Sequence, residues 1–447
     1  MKKTLLLLSL LLVAFVSKAA EYKVIDTKTT LTYTSYIIEY TSVGPDGVTP
    51  TTVSGAITVP TSFIGVFKDL WILDSHHTIA DSKSAPSVVG STQAGSTILS
   101  SMAVVIAPDY YGFGSTQDKP HSYLCQFQNA RNSLDLVKVA LEFLPTKDIN
   151  PFMLCNIGYS QGAGVAMAAH NLLETDSEYT SIVDSFKGGL HSWFGDGPYD
   201  PVTTAADLYA KADHVNFPAL LPMIIQGFLC GAPAELTEGL KFSDFFTDTM
   251  NTPTTVTLES GTTFDYPGLE ALLAAKELDN DKFNAVMRAV TGGKSSLADF
   301  FSADMCNQES DIYKKVEKWM ESNSACTGWK PKKEMFIYNL IEDDIVTSAN
   351  GKLAFENFGI PASHYKEQHE TEFSFNAEQE NHPQYAVEFF KSFAVDVAAV
   401  YMREITDIKG IHDNEISNGL YYDLEGRPVG NNYRGIFIRD GKKVFVR

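Results

Sequence analysis

The sequence predicts an α/β protein: a mostly parallel sheet with crossover helices, broken late by a long helical insertion and followed by a small β tail. Two observations predict it. From about residue 70 onward, short apolar runs bounded by turn residues alternate with helical periodicity, as expected of parallel strands covered on both faces by helices. Residues 200–330 then abandon that alternation for a mostly helical pattern before another apolar run resumes it. With 447 residues, 44% of them hydrophobic, the chain has room for two or three domains or for one large α/β domain with insertions.

Taken in order, residues 1–19 read as a signal peptide. Lys2 and Lys3 precede an apolar stretch, Leu5 to Val16, and Ser17-Lys18-Ala19 offers small residues for cleavage. That stretch is shorter than the ~20 residues a spanning helix needs. The expectation is an exported protein, extracellular, periplasmic or at the cell surface, whose mature chain has no transmembrane segment. Residues 31–59 follow as a strand pair around a turn at Gly44-Pro45-Asp46-Gly47. Parallel strands are predicted at Leu70–Leu73, Ala103–Ile106, Met153–Ile157, Gly188–Leu190 and Met335–Leu340. Between the second and third, Ala130, Leu134, Val137, Leu141 and Leu144 share one helical face.

The core is therefore assigned to residues 20–199 and 331–405, closing with a helix from Gln384 to about Met402. The insertion, 200–330, should lie at the carboxyl edge of the sheet, where active sites of open α/β sheets form, and is read as a cap or lid. Its apolar stretch Phe217 to Leu229 is broken by Pro218, Pro222, Gln226 and Gly227, too short and irregular to span a bilayer. Residues 410–447 form a small β tail, with strands at Leu420–Tyr422, Gly435–Ile438 and Val444–Val446 and a turn at Asp440-Gly441.

The formal charge is −20, or −23 once the three lysines of residues 1–19 are removed. So acidic a surface repels phosphate backbones and anionic lipid, which excludes nucleic acid and a polybasic membrane patch as partners. The five cysteines include Cys306 and Cys326, which flank one helical stretch and are the expected disulfide, whereas Cys155 falls in a buried strand as an inert thiol. No clustered His/Cys spacing indicates a metal site.

The chemistry centres on Gly158-Tyr159-Ser160-Gln161-Gly162, a Gly-x-Ser-x-Gly pentapeptide between an apolar strand and an Ala-rich helix. That context is a nucleophile elbow, in which the serine occupies a sharp, strained turn and its glycine neighbours avoid collision. A serine hydroxyl needs a base, and the base an orienting acid. In this arrangement both follow the nucleophile in the chain. The strand Met335–Leu340 runs into Glu342-Asp343-Asp344, where Asp343 is preferred, with Asp344, Glu342 and the earlier Asp196 and Asp200 as alternatives. Of the later histidines, His382 precedes the last helix and is preferred as base, with His369 as runner-up. Oxyanion donors are expected from the backbone of Gln161 and from His77 or Thr78, in the loop after the strand Leu70–Leu73.

With these segments in place the chain resembles the secreted lipase/esterase branch of the α/β-hydrolase superfamily, and is similar to bacterial exported esterases and fungal secretory lipases. The resemblance runs from about Tyr33 to Met402. It rests on His76-His77-Thr78, Ala107-Pro108-Asp109-Tyr110-Tyr111-Gly112-Phe113-Gly114, Gly158 to Gly162, Asp343 to Val346, and His382. It implies an α/β-hydrolase fold, Ser160, His382 and Asp343 as a catalytic triad, and no cofactor. It also implies a small-molecule, lipid or carbohydrate ester as substrate. Two departures stand out: His77 where the family usually has glycine, and Thr347 where it often has proline. A prolyl-oligopeptidase-like peptidase, a carbohydrate esterase, and a binding protein on an inactive hydrolase fold are the rivals. The tail resembles carboxyl-terminal segments of exported bacterial proteins, some of which act in sorting or anchoring.

Overall fold

The computed structural model describes residues 21–61, 67–91, 96–377 and 379–406, and in the tail the strand residues 421–422, 428–429, 435–439 and 442–446. The expected signal peptide (1–19) and the turn Asp440-Gly441 lie outside the described residues.

In chain order the strands are β1 (Tyr22–Thr29), β2 (Tyr33–Val43), β3 (Pro50–Pro60), β4 (Phe67–Ser75), β5 (Ala103–Pro108), β6 (Met153–Tyr159) and β7 (Leu190–Gly195). A separate hairpin, β8 (Thr254–Thr257) and β9 (Thr263–Tyr266), precedes β10 (Glu334–Leu340) and β11 (Tyr365–Gln368). Among the described residues nine of these form one sheet, ordered β1-β2-β3-β5-β4-β6-β7-β10-β11. The pairs β1/β2, β2/β3 and β3/β5 are antiparallel. Every other neighbouring pair is parallel.

The local reasons are visible strand by strand. All of β5, β6 and β7 is buried, because helices cover both faces; β5 reads as a continuous apolar run, whereas Asn156 interrupts β6 and His191 and Ser192 interrupt β7, their side chains hydrogen-bonded inside. The pair expected at 31–59 is β2 against β3, in register from Tyr33↔Pro60 to Val43↔Pro50. Two strands of this sheet have no counterpart in the sequence reading, nor does the hairpin β8–β9 inside the insertion that was expected to be helical. Both β1, with Lys23, Asp26 and Lys28, and β11, with Lys366 and Glu367, are polar strands at the sheet's edges. Charged side chains are how an exposed edge avoids pairing with other chains, and they also erase the apolar signal.

The helix Gln126–Phe143 buries Ala130, Leu134, Val137 and Ala140 against the sheet, and the helix Gln161–Thr175 buries nearly its whole first three turns. Between β7 and β10 the longer helices are Pro201–Ala210, Leu220–Gly231, Asn280–Val290 and Asp311–Ser322. These pack into an apolar cluster of their own, including Leu221, Ile225, Phe228, Met287 and Trp319, distinct from the cluster under the sheet. Polar contacts join this insertion to sheet loops. Asn280 Nδ2 donates to Thr78 O (2.8 Å), Asn216 Nδ2 to Asp344 O (2.6 Å), and His121 N to Gln226 Oε1 (2.8 Å). The ammonium of Lys276 donates to the carbonyls of Gly112, Gln117 and Lys119, and burial pulls its pKa down to about 8.

The expected Cys306–Cys326 disulfide is a correction: among the described residues all five cysteines are free. Cys326 belongs to the cluster under the sheet, while Cys306 packs on the insertion's cluster with Sγ 3.8 Å from Phe301 O. The two thiols are committed to different cores.

The final helix runs Asn381–Thr406 and so begins three residues earlier than expected, placing His382 in its first turn. Pro383 is tolerated there because first-turn N–H groups have no intrahelical acceptor. The tail holds β12 (Tyr421–Tyr422), β13 (Pro428–Val429), β14 (Gly435–Arg439) and β15 (Lys442–Val446), an antiparallel sheet ordered β13-β12-β14-β15. Among the described residues no helix is long and apolar enough to cross a membrane.

Candidate active site

Ser160 sits between β6 and the helix Gln161–Thr175 with φ 55° and ψ −128°. A non-glycine residue in such a region costs roughly 1–3 kcal/mol and persists only where its surroundings hold it. Ser160 N donates to Gly195 O and Ser160 O accepts from Ala163 N, both at 2.9 Å. The flanking glycines are dictated by close approach. A Cβ on Gly158 would lie 2.1 Å from Gly162 O, and one on Gly162 would lie 2.0 Å from Ser75 O. The same contact brings the loop after β4 onto the elbow.

Asp343 follows β10 and is buried. Its Oδ1 accepts from Ile345 N (2.8 Å) and Val346 N (2.6 Å), closing the loop on itself, and its Oδ2 lies 2.5 Å from His382 Nδ1. With Nδ1 engaged, the other ring nitrogen of His382, Nε2, is buried with no hydrogen-bond partner among the described residues. Tyr159, next to Ser160, ties this pair to the elbow. Its hydroxyl donates to His382 O at 2.6 Å, and the two rings lie 4.9 Å apart. Burial pushes the Tyr159 hydroxyl far above its ordinary pKa, so it stays a donor.

The alternatives have other occupations. Asp344 accepts from the backbone N–H groups of Asn381 (2.9 Å) and His382 (3.3 Å), holding the start of the last helix, although burial pushes its own pKa up. A carboxylate at that end also suits the helix dipole. Asn381 returns the contact, accepting from Asp344 N (3.1 Å) and donating to Glu342 O (2.7 Å). Glu342 and His369 form a pair of their own at 2.7 Å, largely exposed. Asp200 caps the helix Pro201–Ala210 by accepting from Thr203 N at 3.0 Å. Asp196, after β7, lies close to both Asp343 and His382: one ligand-type atom from each falls within 4.8 Å of the others. Within this group Asp343 Oδ1 accepts from backbone and Asp343 Oδ2 is paired with His382 Nδ1.

Gln161 is the first residue of its helix and buried, where a backbone N–H has no intrahelical acceptor. Thr78 is buried, its hydroxyl 3.1 Å from that of Tyr123. His77 is half-buried, and its carbonyl lies 2.7 Å from His76 Nδ1. His76 stacks on Tyr110 (4.0 Å) with Nε2 3.1 Å from Asp109 O, fastening the loop to the Pro-Asp-Tyr segment; burial pushes its pKa down. Sequence reasoning missed Tyr159, the variable residue of the pentapeptide, and Asn381. Nothing in their local sequence marks either, since their partners lie some 220 and 37 residues away.

No family model and no curated protein matches the chain. Solved structures do. The chain is similar to a ligand-bound rice cell wall degrading esterase, LipA, from Xanthomonas oryzae, with a TM-score of 0.56 and 17% identity over 76% of this chain and 83% of that one. A protein of Legionella pneumophila matches with a TM-score of 0.55 and 18% identity over 81% and 89%. Candida antarctica lipase A in its closed state matches with 0.50 and 12% over 78% and 75%. With the mostly parallel, helix-flanked sheet, these likenesses show an α/β-hydrolase fold.

Proposed function

We propose that this chain is an exported serine hydrolase that cleaves carboxylic esters through an acyl-enzyme on Ser160. The observation that carries the reading is the buried Asp343–His382 pair, held to the elbow by Tyr159 and leaving His382 Nε2 without a partner among the described residues. In this mechanism His382 takes the Ser160 proton through Nε2 as Oγ attacks the ester carbonyl, while Asp343 stabilises the imidazolium. The alkoxide or phenoxide leaves with that proton. Water, deprotonated by His382, then releases the acid and restores the serine. Backbone N–H groups of Gln161 and of His77 or Thr78 hold the oxyanion in both steps.

The helical insertion is the cap of this site. Its hydrogen bonds reach Thr78 on one side and Asp344 on the other, and its apolar build favours an acyl or aromatic ester. The esterase and lipase among the structural neighbours point the same way. Export rests on residues 1–19 and predicts a mature N-terminus at Ala20.

The test is hydrolysis of p-nitrophenyl esters of graded chain length, beside acetylated xylan and a peptide amide, by wild type and Ser160→Ala. Loss of about 10⁴-fold or more in the variant is expected, together with fluorophosphonate labelling of wild type at Ser160. Equal rates in the two proteins, or labelling elsewhere, would sink the reading. Preference for the xylan or the amide would move the substrate class to a carbohydrate ester or a peptide.

A further inference from the structure

Asp196 is a buried acid in the same site to which the mechanism above gives no work. It follows β7 directly, with φ 37° and 2% of its surface exposed. Its backbone N–H donates to Tyr338 O at 3.1 Å and its Oδ1 accepts from Leu340 N at 2.8 Å. It therefore grips the end of β10, the strand that delivers Asp343. Its Oδ2 is buried with no hydrogen-bond partner among the described residues.

Counting acceptor sites identifies what Oδ2 does. A carboxylate offers about four lone-pair sites. On Asp343, Ile345 N and Val346 N occupy both sites of Oδ1 and His382 Nδ1 occupies one on Oδ2. One site remains, and Asp196 is the adjoining carboxyl. Two carboxylates cannot bond to each other, because neither has a donor; a carboxylic acid and a carboxylate can, by sharing one proton. The titratable groups that face Asp196 are Asp343, His382 and the hydroxyls of Tyr159, Tyr199, Tyr365 and Tyr385. Of these only His382 can carry positive charge, and it is engaged by Asp343. Burial, with the Asp343 charge beside it, pushes the Asp196 pKa well above the carboxylate range.

We infer that Asp196 is a positioning residue: as a neutral acid it donates a hydrogen bond from Oδ2 to the Asp343 carboxylate and so holds that carboxylate against His382. This rests on the triad reading above. It also explains the strained backbone, since the turn at Asp196 aims a donor from β7 at a loop that begins after β10.

The experiment compares Asp196→Asn, Asp196→Ala and wild type on p-nitrophenyl butyrate, with thermal unfolding measured from pH 4 to 8. Asparagine reproduces the neutral acid, its oxygen accepting from Leu340 N–H and its amide donating to Asp343. It should keep kcat/KM within about threefold of wild type, whereas alanine should lose tenfold or more in kcat with KM little changed. Infrared difference spectra at neutral pH should contain the C=O band of a protonated carboxylic acid in wild type and lack it in Asp196→Asn.

Stability supplies a further readout. A folded-state pKa raised above the unfolded value means that the folded protein holds the proton longer, so stability falls as pH rises above about 4. Asparagine removes that loss, and its Tm relative to wild type should climb with pH. An absent band in wild type, asparagine as damaging as alanine, or an alanine variant with wild-type kcat each overturns the inference. Because the band and the Tm trend need no turnover, a failure of the esterase reading at Ser160→Ala is distinguishable from a failure here.

Discussion

The elbow that carries Ser160 and the paired segments that carry Asp343 and His382 solve one problem, holding a reactive group in place, by different means. The elbow is held by absence. Gly158 and Gly162 leave out side chains so that strand, helix and the Ser75–His76 backbone can close to van der Waals contact. The acid and base are held by presence, through bonds among Asp343, Asp344, Glu342, Asn381, His382 and Tyr159 that cross from one segment to the other. Close packing is intolerant of added volume, whereas a hydrogen-bond network loses function in steps as single partners are removed.

Asp343→Asn keeps the volume and removes the charge that orients His382; kcat should fall by on the order of 10⁴ with Tm nearly unchanged. A fall under tenfold would assign the acid elsewhere. Gly162→Ala should act in the opposite way, through the fold. Its methyl meets the Ser75 carbonyl, and overpacking of this kind costs about 1–3 kcal/mol or more, read as a lowered Tm together with lost activity. A variant that unfolded like wild type would show that the elbow is not held by packing.

Tyr159→Phe removes one bond to a backbone carbonyl, worth about 1 kcal/mol. It should lower kcat by roughly tenfold or less while leaving unfolding cooperative. Finally, His369→Ala should leave kcat within about twofold, because the Glu342–His369 pair is exposed and separate from the buried pair. Glu342 raises the His369 pKa. Any stabilisation from that pair is therefore fully present below the free-histidine value, about 6.5, and fades as pH rises through the folded one. A Tm difference that grew with pH would contradict the pairing.

Much of the sheet was legible because a strand buried on both faces must be apolar along its length. Of the five parallel strands expected in the sequence, those at Leu70–Leu73, Ala103–Ile106, Met153–Ile157 and Met335–Leu340 fall within β4, β5, β6 and β10, whereas the one at Gly188–Leu190 meets β7 only at Leu190, because His191 and Ser192 break the apolar run. What was not legible were the edges. Neither β1 nor β11 buries a continuous face, and solubility requires them to be polar. The disulfide expectation failed for a related reason. Proximity in sequence of Cys306 and Cys326 carries no information about which of two apolar clusters each joins.

In the site, the elbow could be read from five residues because its constraint is local: a positive φ at Ser160 and two close backbone approaches leave few sequences possible. The identities of Asp343 and His382 were choices among neighbours. Glu342, Asp343 and Asp344 are adjacent acids with the same local chemistry, and only contacts with Asn381, His382 and His369 separate their roles.

Local sequence dictates where the chain turns, which segments are buried, and that a serine stands at a strand–helix elbow, because these follow from side-chain volume, backbone freedom and periodicity over a few residues. Long-range packing sets which acid meets which histidine, that Tyr159 fastens His382 to the elbow, and that Asp196 lies beside Asp343. Those depend on the directions of side chains brought together across 39 residues for Asp343 and His382 and across 223 for Tyr159 and His382, which no local pattern encodes.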